Sequence, residues 1–212
     1  MNWVTNNLET ILSALGWHVA LSVPAIVAAL LCAIPLGWWA HRLPRYSGPI
    51  ITGSGLLFAI PSLPLLILLP VITGAGMRDG INVVIALTLY GIALLVRSVA
   101  DGFNSISSET RLAATALGYS GGRRFLTVEL PLAAPIILTG LRVVTASTIA
   151  LCTVGAVLGI PSLGTLFTDG FQRQILAEII TGIVLTLGLA GLFDGLLVVL
   201  GKMLMPWQKQ VA

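Results

Sequence analysis

Residues able to do chemistry are few in this chain, and they do not assemble into a reactive set. Cys32 and Cys152 both lie inside apolar runs with no second Cys or His close in sequence. They read as small hydrophobes, not as a disulfide or a metal site. His18 and His41 flank an apolar segment, and His41 reads as an interfacial residue rather than a ligand. No Gly-x-x-x-x-Gly-Lys-Ser/Thr run occurs, so the chain offers no phosphate-cradling loop, and no catalytic or metal constellation is apparent. What stands out instead is "RLAATALGYSGGRRFLTVELPLAAP", residues 111–135, a polar, glycine-punctuated insert with a basic cluster.

The elements around that insert are apolar throughout. Of 212 residues, 57% are hydrophobic and 9% charged, with a mean hydropathy of +1.01. A soluble domain carries about a quarter charged residues, so a water-soluble fold is excluded and one membrane domain over 1–212 is expected. Spanning helices need about 20 mainly apolar residues. Five stretches qualify: 17–40, 50–72, 81–100, 132–158 and 176–201. Their runs lack the alternation of a barrel strand, which leaves an all-α integral membrane fold. Prolines at 24, 35, 61, 64 and 70 predict kinks or breaks in the first two spans. "MNWVTNNLET" lacks the basic start of a signal peptide.

Cations set the orientation. Arg42, Arg45, Arg97, Arg111, Arg123, Arg124, Lys202 and Lys209 fall on one side, and only Arg78 and Arg173 on the other. The 101–131 loop and the C-terminus are therefore expected in the cytoplasm and the N-terminus outside. The net charge of +3 is dispersed, which argues against nucleic acid as a partner. Arg97, Asp101, Glu129, Arg142 and Asp194 are assigned to the cytoplasmic ends of spans. Ionisable residues in spans are functional candidates by default, but here snorkelling or pairing is preferred, for example of Asp194 with Arg97 or Arg142. No acid is assigned to the midplane, and no internal repeat is seen, which disfavours an ion-coupled secondary transporter.

The insert has helix-start chemistry. Ser107 or Ser108 can cap, Glu109 suits the positive end of the helix dipole, and Gly118 is a natural stop. Ser120 can cap a second helix running towards Pro131. Two short helices at an angle are predicted, joined at Gly118-Tyr119-Ser120, with Ala113, Ala114 and Leu117 together on one face. Such a pair either lies on the membrane surface or docks in a groove of a cytoplasmic partner.

Here the chain resembles the inner-membrane permease subunits of ATP-binding-cassette importers. Their loop follows Glu-Ala-Ala, three residues, Gly, nine residues, Ile, any residue, Leu-Pro. Ala113-Ala114, Gly118, Val128 and Leu130-Pro131 match at full spacing, and Leu112 stands where the family has Glu. "FAIPSLPLLILLP" (58–70), "IALTLYGIALLVRSVADG" (85–102), "VELPLAAPIILTGLRVVTASTIA" (128–150) and "GIPSLGTLFTDGF" (159–171) resemble the permeases for glycine betaine, choline and carnitine. Methionine permeases share the five-helix size and loop but match these blocks less well.

The resemblance implies the small type I importer fold of the methionine-permease kind, with a cytoplasmic coupling helix. It implies a bacterial inner-membrane location, an ATPase subunit dimer that binds ATP and Mg, a substrate-binding protein, and a second permease, the same chain or a paralogue. Ala113, Ala114, Leu117 and Gly118 would fit closely against the ATPase. Arg123 and Arg124 would pair with its acidic groups or simply enforce topology. Leu130 and Pro131 would stiffen the passage into the fourth span, although Pro131 is equally a helix-start residue. Pro61, Ser62, Tyr90, Gly159, Pro161 and Gly164 are candidates for a path or gate, Gly159, Pro161 and Gly164 suiting a re-entrant hairpin as readily as a plain outer turn. Tyr90, Phe58 and Phe167 are the aromatic faces available for a quaternary-amine cage.

Overall fold

The computed structural model describes residues 2–207, and Lys209 lies outside them. Ten α-helices account for nearly all of it. They are α1 (Asn2–Asn6), α2 (Leu8–Arg42), α3 (Pro44–Phe58), α4 (Ser62–Thr73), α5 (Gly80–Asn104), α6 (Ser108–Ala116), α7 (Gly121–Arg124), α8 (Leu130–Cys152), α9 (Thr165–Gln172) and α10 (Leu176–Leu204). A π-helical stretch, Phe125–Glu129, joins α7 to α8, and a 3-10 stretch, Thr153–Leu158, follows α8.

Pro24 and Pro35 do not break the first span, because α2 runs through both for 35 residues. The break falls in the second span, where α3 and α4 meet at 101°. Pro61 is extended there (φ −62°, ψ 137°), and a residue preceding proline is pushed out of the helical region. A broken helix leaves backbone groups that hydrocarbon cannot satisfy. The Tyr90 hydroxyl donates to the Ile60 carbonyl at 2.7 Å, and the Tyr90 ring meets Phe58 edge-on at 5.7 Å. Tyr90→Phe leaves that carbonyl unpaired, so thermal unfolding of the purified protein should show a loss of about 1–2 kcal/mol.

The bent pair is one crossing, not a re-entrant loop. At its start, His41 Nδ1 lies 2.5 Å from Asn104 Oδ1 at the end of α5. Beyond its finish, Gly80 at the start of α5 packs against Leu21, half a helix away along α2. The chain has therefore changed sides between Leu43 and Asp79, which makes five crossings in all.

α5 is the hub. An apolar 18-residue stretch of α5 is 61% buried, whereas the corresponding stretch of α10 is only 6% buried. Small residues let α5 sit backbone-close to its neighbours, as membrane helices require in the absence of a solvent-driven core. Ala25, Ala29, Ala33 and Gly37 form a four-residue-spaced stripe on α2, all buried. A Cβ on Gly37 would lie 2.5 Å from Val99, one on Gly91 2.5 Å from Ala29, and one on Gly140 of α8 2.5 Å from Ser98.

Candidate functional site

The polar insert folds as two short helices at a glycine corner. Ser107 caps α6, its hydroxyl accepting from Thr110 N–H at 3.2 Å. α6 ends in a Schellman turn: Tyr119 N–H donates to Ala114 O at 3.1 Å and Gly118 N–H to Thr115 O at 3.0 Å. That turn needs a left-handed residue, and Gly118 has φ +82°. Ser120 occupies the cap of α7 without a side-chain hydrogen bond.

The second helix does not stop before Pro131. It continues through the π stretch, where Leu130 N–H donates to Phe125 O, straight into α8. In a regular helix the Pro131 ring would collide with the Thr127 carbonyl. One extra residue in the turn relieves that collision without ending the helix. Leu130, half-buried in the core, and Pro131, in the first turn of α8, thus belong to one rod from Gly121 to Cys152 rather than to a stiff joint.

Two of the loop expectations are corrected. Ala114 is buried and turned inward, so it does not share a face with Ala113 and Leu117, both exposed. Arg124 is engaged inside the loop: its Nε donates to Glu129 Oε1 at 2.8 Å and its Nη1 to Thr115 Oγ1 at 2.7 Å. Arg123 is exposed and lies over the Tyr119 ring at 4.9 Å. Among outward residues that are mostly small or polar, three large apolar side chains are exposed: Leu112 (69%), Leu117 (78%) and Leu126 (62%). Nothing in the sequence pattern marks Leu126, and Leu112 stands out there only as the departure from a family Glu.

Glu129 is the clamp at the base of the loop. It is buried, pairs with Arg124, and has Arg111 Nε at 3.9 Å. Arg111 in turn donates from Nη2 to Phe103 O at the end of α5. Phe125 stacks on Phe103 at 5.7 Å and meets Trp38 edge-on at 5.2 Å, tying the π stretch to α5 and α2. Glu129→Ala leaves two arginines facing each other without their acid. Breaking a buried pair by removing one partner costs about 3–5 kcal/mol, so hydrogen exchange across 107–129 should accelerate at least tenfold while α5 amides stay protected. Unchanged exchange would show that the clamp holds nothing.

On the opposite side, the segment between α8 and α10 folds back against the spans. Gly159 is left-handed (φ +77°), with Arg78 Nε 3.3 Å from where a Cβ would stand. Gly164 admits no side chain, because a Cβ there would lie 2.0 Å from Thr153 O. Pro161 is exposed, while Ile160 is buried in one cluster with Tyr90, Leu65 and Cys152. Pro61 and Ser62 open α4 beside that cluster, since Tyr90 bonds Ile60. The six gate candidates thus gather on one half of the molecule. The three aromatics do not make a cage: Phe58 meets Tyr90, but Phe167 lies against Gly182 of α10.

His18, read in the sequence only as flanking an apolar run, anchors this region. It is fully buried. Leu163 N–H donates to its Nδ1 at 3.3 Å, so Nε2 carries the proton and donates to Ile149 O at 3.0 Å. One imidazole thereby joins α2, α8 and the folded-back segment. A histidine inside an apolar run was the available signal, since a buried ring nitrogen needs a partner.

Charges in the spans are also redistributed. Arg97 pairs with Asp101 at 3.9 Å on α5. Arg142 makes a two-pronged pair with Asp194, Nε to Oδ1 at 2.6 Å and Nη2 to Oδ2 at 2.8 Å. Neither partner is at a helix end. At 1.5 Å per residue, Arg142 lies about 18 Å into α8 and Asp194 about 15 Å from the loop-side end of α10, near the middle of a ~30 Å core. The expectation of no acid near the midplane is therefore overturned.

The comparisons with known proteins agree with this geometry. The family described as binding-protein-dependent transport system inner membrane component matches residues 33–206. The chain belongs to that family. Among its relatives, the glycine betaine/carnitine/choline transport system permease protein OpuCB of Bacillus subtilis (strain 168) is 27% identical over 97% of this chain and 94% of its own length. The osmoprotectant import permease protein OsmW of Salmonella typhimurium is 28% identical over 97% of both. In fold, this binding-protein-dependent permease resembles a chain of the MetNI methionine ABC transporter in an inward-facing conformation, with TM-score 0.81 at 16% identity over 93% of this chain and 97% of that one. A chain of an amino acid ABC transporter follows at TM-score 0.69 and 14% identity, covering 98% and 96%. As a permease component, the chain is a transport subunit and belongs to a family that is not itself catalytic.

Proposed function

We propose that this permease is one membrane half of an ATP-driven importer for quaternary-amine osmoprotectants such as glycine betaine, choline and carnitine. ATP and Mg are bound by a separate ATPase pair, solute arrives on a substrate-binding protein, and a second permease, another copy or a paralogue, closes the path. The loop and the C-terminal end of α10 face the cytoplasm, and the N-terminus faces outside.

The observation that carries the coupling is the unbroken rod from Gly121 to Cys152. Exposed Leu112, Leu117 and Leu126 offer apolar anchors for an ATPase groove, and Glu129 ties the loop to α5 through Arg111, which bonds Phe103 O. Displacement of Leu126, which the rod itself carries, tilts α8 directly, whereas α6 acts on the rod through the Gly118 corner and the Arg124 contacts with Thr115 and Glu129. The far end of α8 carries the motion to the folded-back segment through His18, which bonds Ile149 of α8 and Leu163 of that segment. The substrate class is supported by relatives that match over nearly their whole length and are named for such solutes.

Reconstitution with the partner ATPase and binding protein tests the reading. Glycine betaine, choline or carnitine on the binding protein should stimulate ATP hydrolysis severalfold. Stimulation by methionine alone would transfer the chain to the methionine class.

A further inference from the structure

The intramembrane pair of Arg142 and Asp194 has a use that packing alone does not explain. Its side chains remain 41% and 39% exposed although both sit near the middle of the bilayer. An ion pair open to hydrocarbon is costly, and ionisable groups at that depth face a bundle interior or a water-filled passage. Small residues open the surface around it, among larger exposed ones such as Val143, Leu192 and Leu196. Gly191 and Gly195 on α10, three before and one after Asp194, have nothing within 4 Å of where a Cβ would stand. Thr139 and Ala146 of α8, three before and four after Arg142, are exposed.

The pair is also chemically incomplete. Arg142 uses Nε and Nη2, so Nη1 has no partner among the described residues, and each Asp194 oxygen accepts a single hydrogen bond. A contact pair carries no net charge and holds a lone cation or anion weakly. It complements a second dipole lying antiparallel to it, carboxylate against the guanidinium edge and ammonium against the carboxylate. We infer that Arg142 and Asp194 line the solute path between permease subunits and form a mid-membrane subsite for a small zwitterion. The inference deepens the importer reading above and rests on it. Binding there is weak enough for onward passage, as a transfer site requires.

The test is transport by the reconstituted full complex, comparing glycine betaine and carnitine, which carry a carboxylate, with choline, which does not. The paired variant Arg142→Gln/Asp194→Asn keeps a hydrogen bond between α8 and α10 but removes the dipole. Betaine and carnitine transport should fall about tenfold relative to choline measured in the same vesicles. Equal loss for all three solutes, or no loss, overturns the subsite. Should the neutral pair fail to assemble, Arg142→Asp/Asp194→Arg restores the brace with the dipole reversed. A lowered betaine-to-choline ratio then supports the subsite, and a wild-type ratio overturns it. If wild-type complex moves methionine and no quaternary amine, the osmoprotectant reading fails. The same variants compared on methionine and its methyl ester then decide the subsite separately.

Discussion

Leu117→Asp will reach the membrane in normal amount and purify without its ATPase subunit. Leu117 is 78% exposed in a loop whose outward groups are mainly small or polar, and Leu112 and Leu126 are the other large apolar side chains that the loop exposes. Solvated apolar side chains of that size on a rigid corner suit burial in a partner's pocket, and truncating or charging such an anchor costs about 2–4 kcal/mol of association. That corresponds to a roughly 30- to 1,000-fold weaker complex, enough to lose the subunit during purification. Gly118→Trp should act in the same direction by a different route. Nothing crowds the position, but φ +82° is a conformation that a side chain strains, so the corner itself is re-aimed. Co-purification at the wild-type ratio for both variants would remove this corner from the interface.

Gly164→Val should be the most damaging change on the opposite side. Its Cβ would stand 2.0 Å from the Thr153 carbonyl oxygen and 2.7 Å from the carbonyl carbon, both backbone. No rotamer relieves a clash between main chains, so the folded-back segment must leave the end of α8 and take its Leu163–His18 bond with it. A loss of about 3 kcal/mol or more is expected, read as a fall in the unfolding temperature of the purified permease by several degrees. Gly55→Ala on α3, where open space surrounds the position, is the matched control and should change stability by less than about 1 kcal/mol. Equal behaviour of the two variants would contradict the packing described for Gly164.

Much of this architecture is legible in the chain because hydrocarbon permits so few solutions. Five apolar runs of sufficient length, cations biased to one side, and a glycine-broken polar insert specify the spans and the loop. The corner at Gly118 and the cap at Ser107 follow from local backbone chemistry, and both form as residue types dictate. What sequence reading misses is set by contacts between elements. Pro24 and Pro35 read like Pro61, yet only Pro61 sits at a break, and the hydroxyl that satisfies that break comes from Tyr90 on another helix. Ala113 and Ala114 are equivalent by composition, but the way α6 sits on the molecule buries one and exposes the other. Arg142 and Asp194 are separated by 52 positions, and only the packing of α8 on α10 shows that they meet, and at what depth.

The coupling role stands on where the glycine corner lies. With Cys32 and Cys152 replaced by serine and alanine, a single Tyr119→Cys can be challenged with a membrane-impermeant maleimide. Intact cells should leave it unlabelled, inside-out vesicles stripped of ATPase should label it fully, and adding the ATPase subunit back should protect it. Labelling in intact cells, or equal labelling with and without the ATPase, would contradict a cytoplasmic loop that engages the motor.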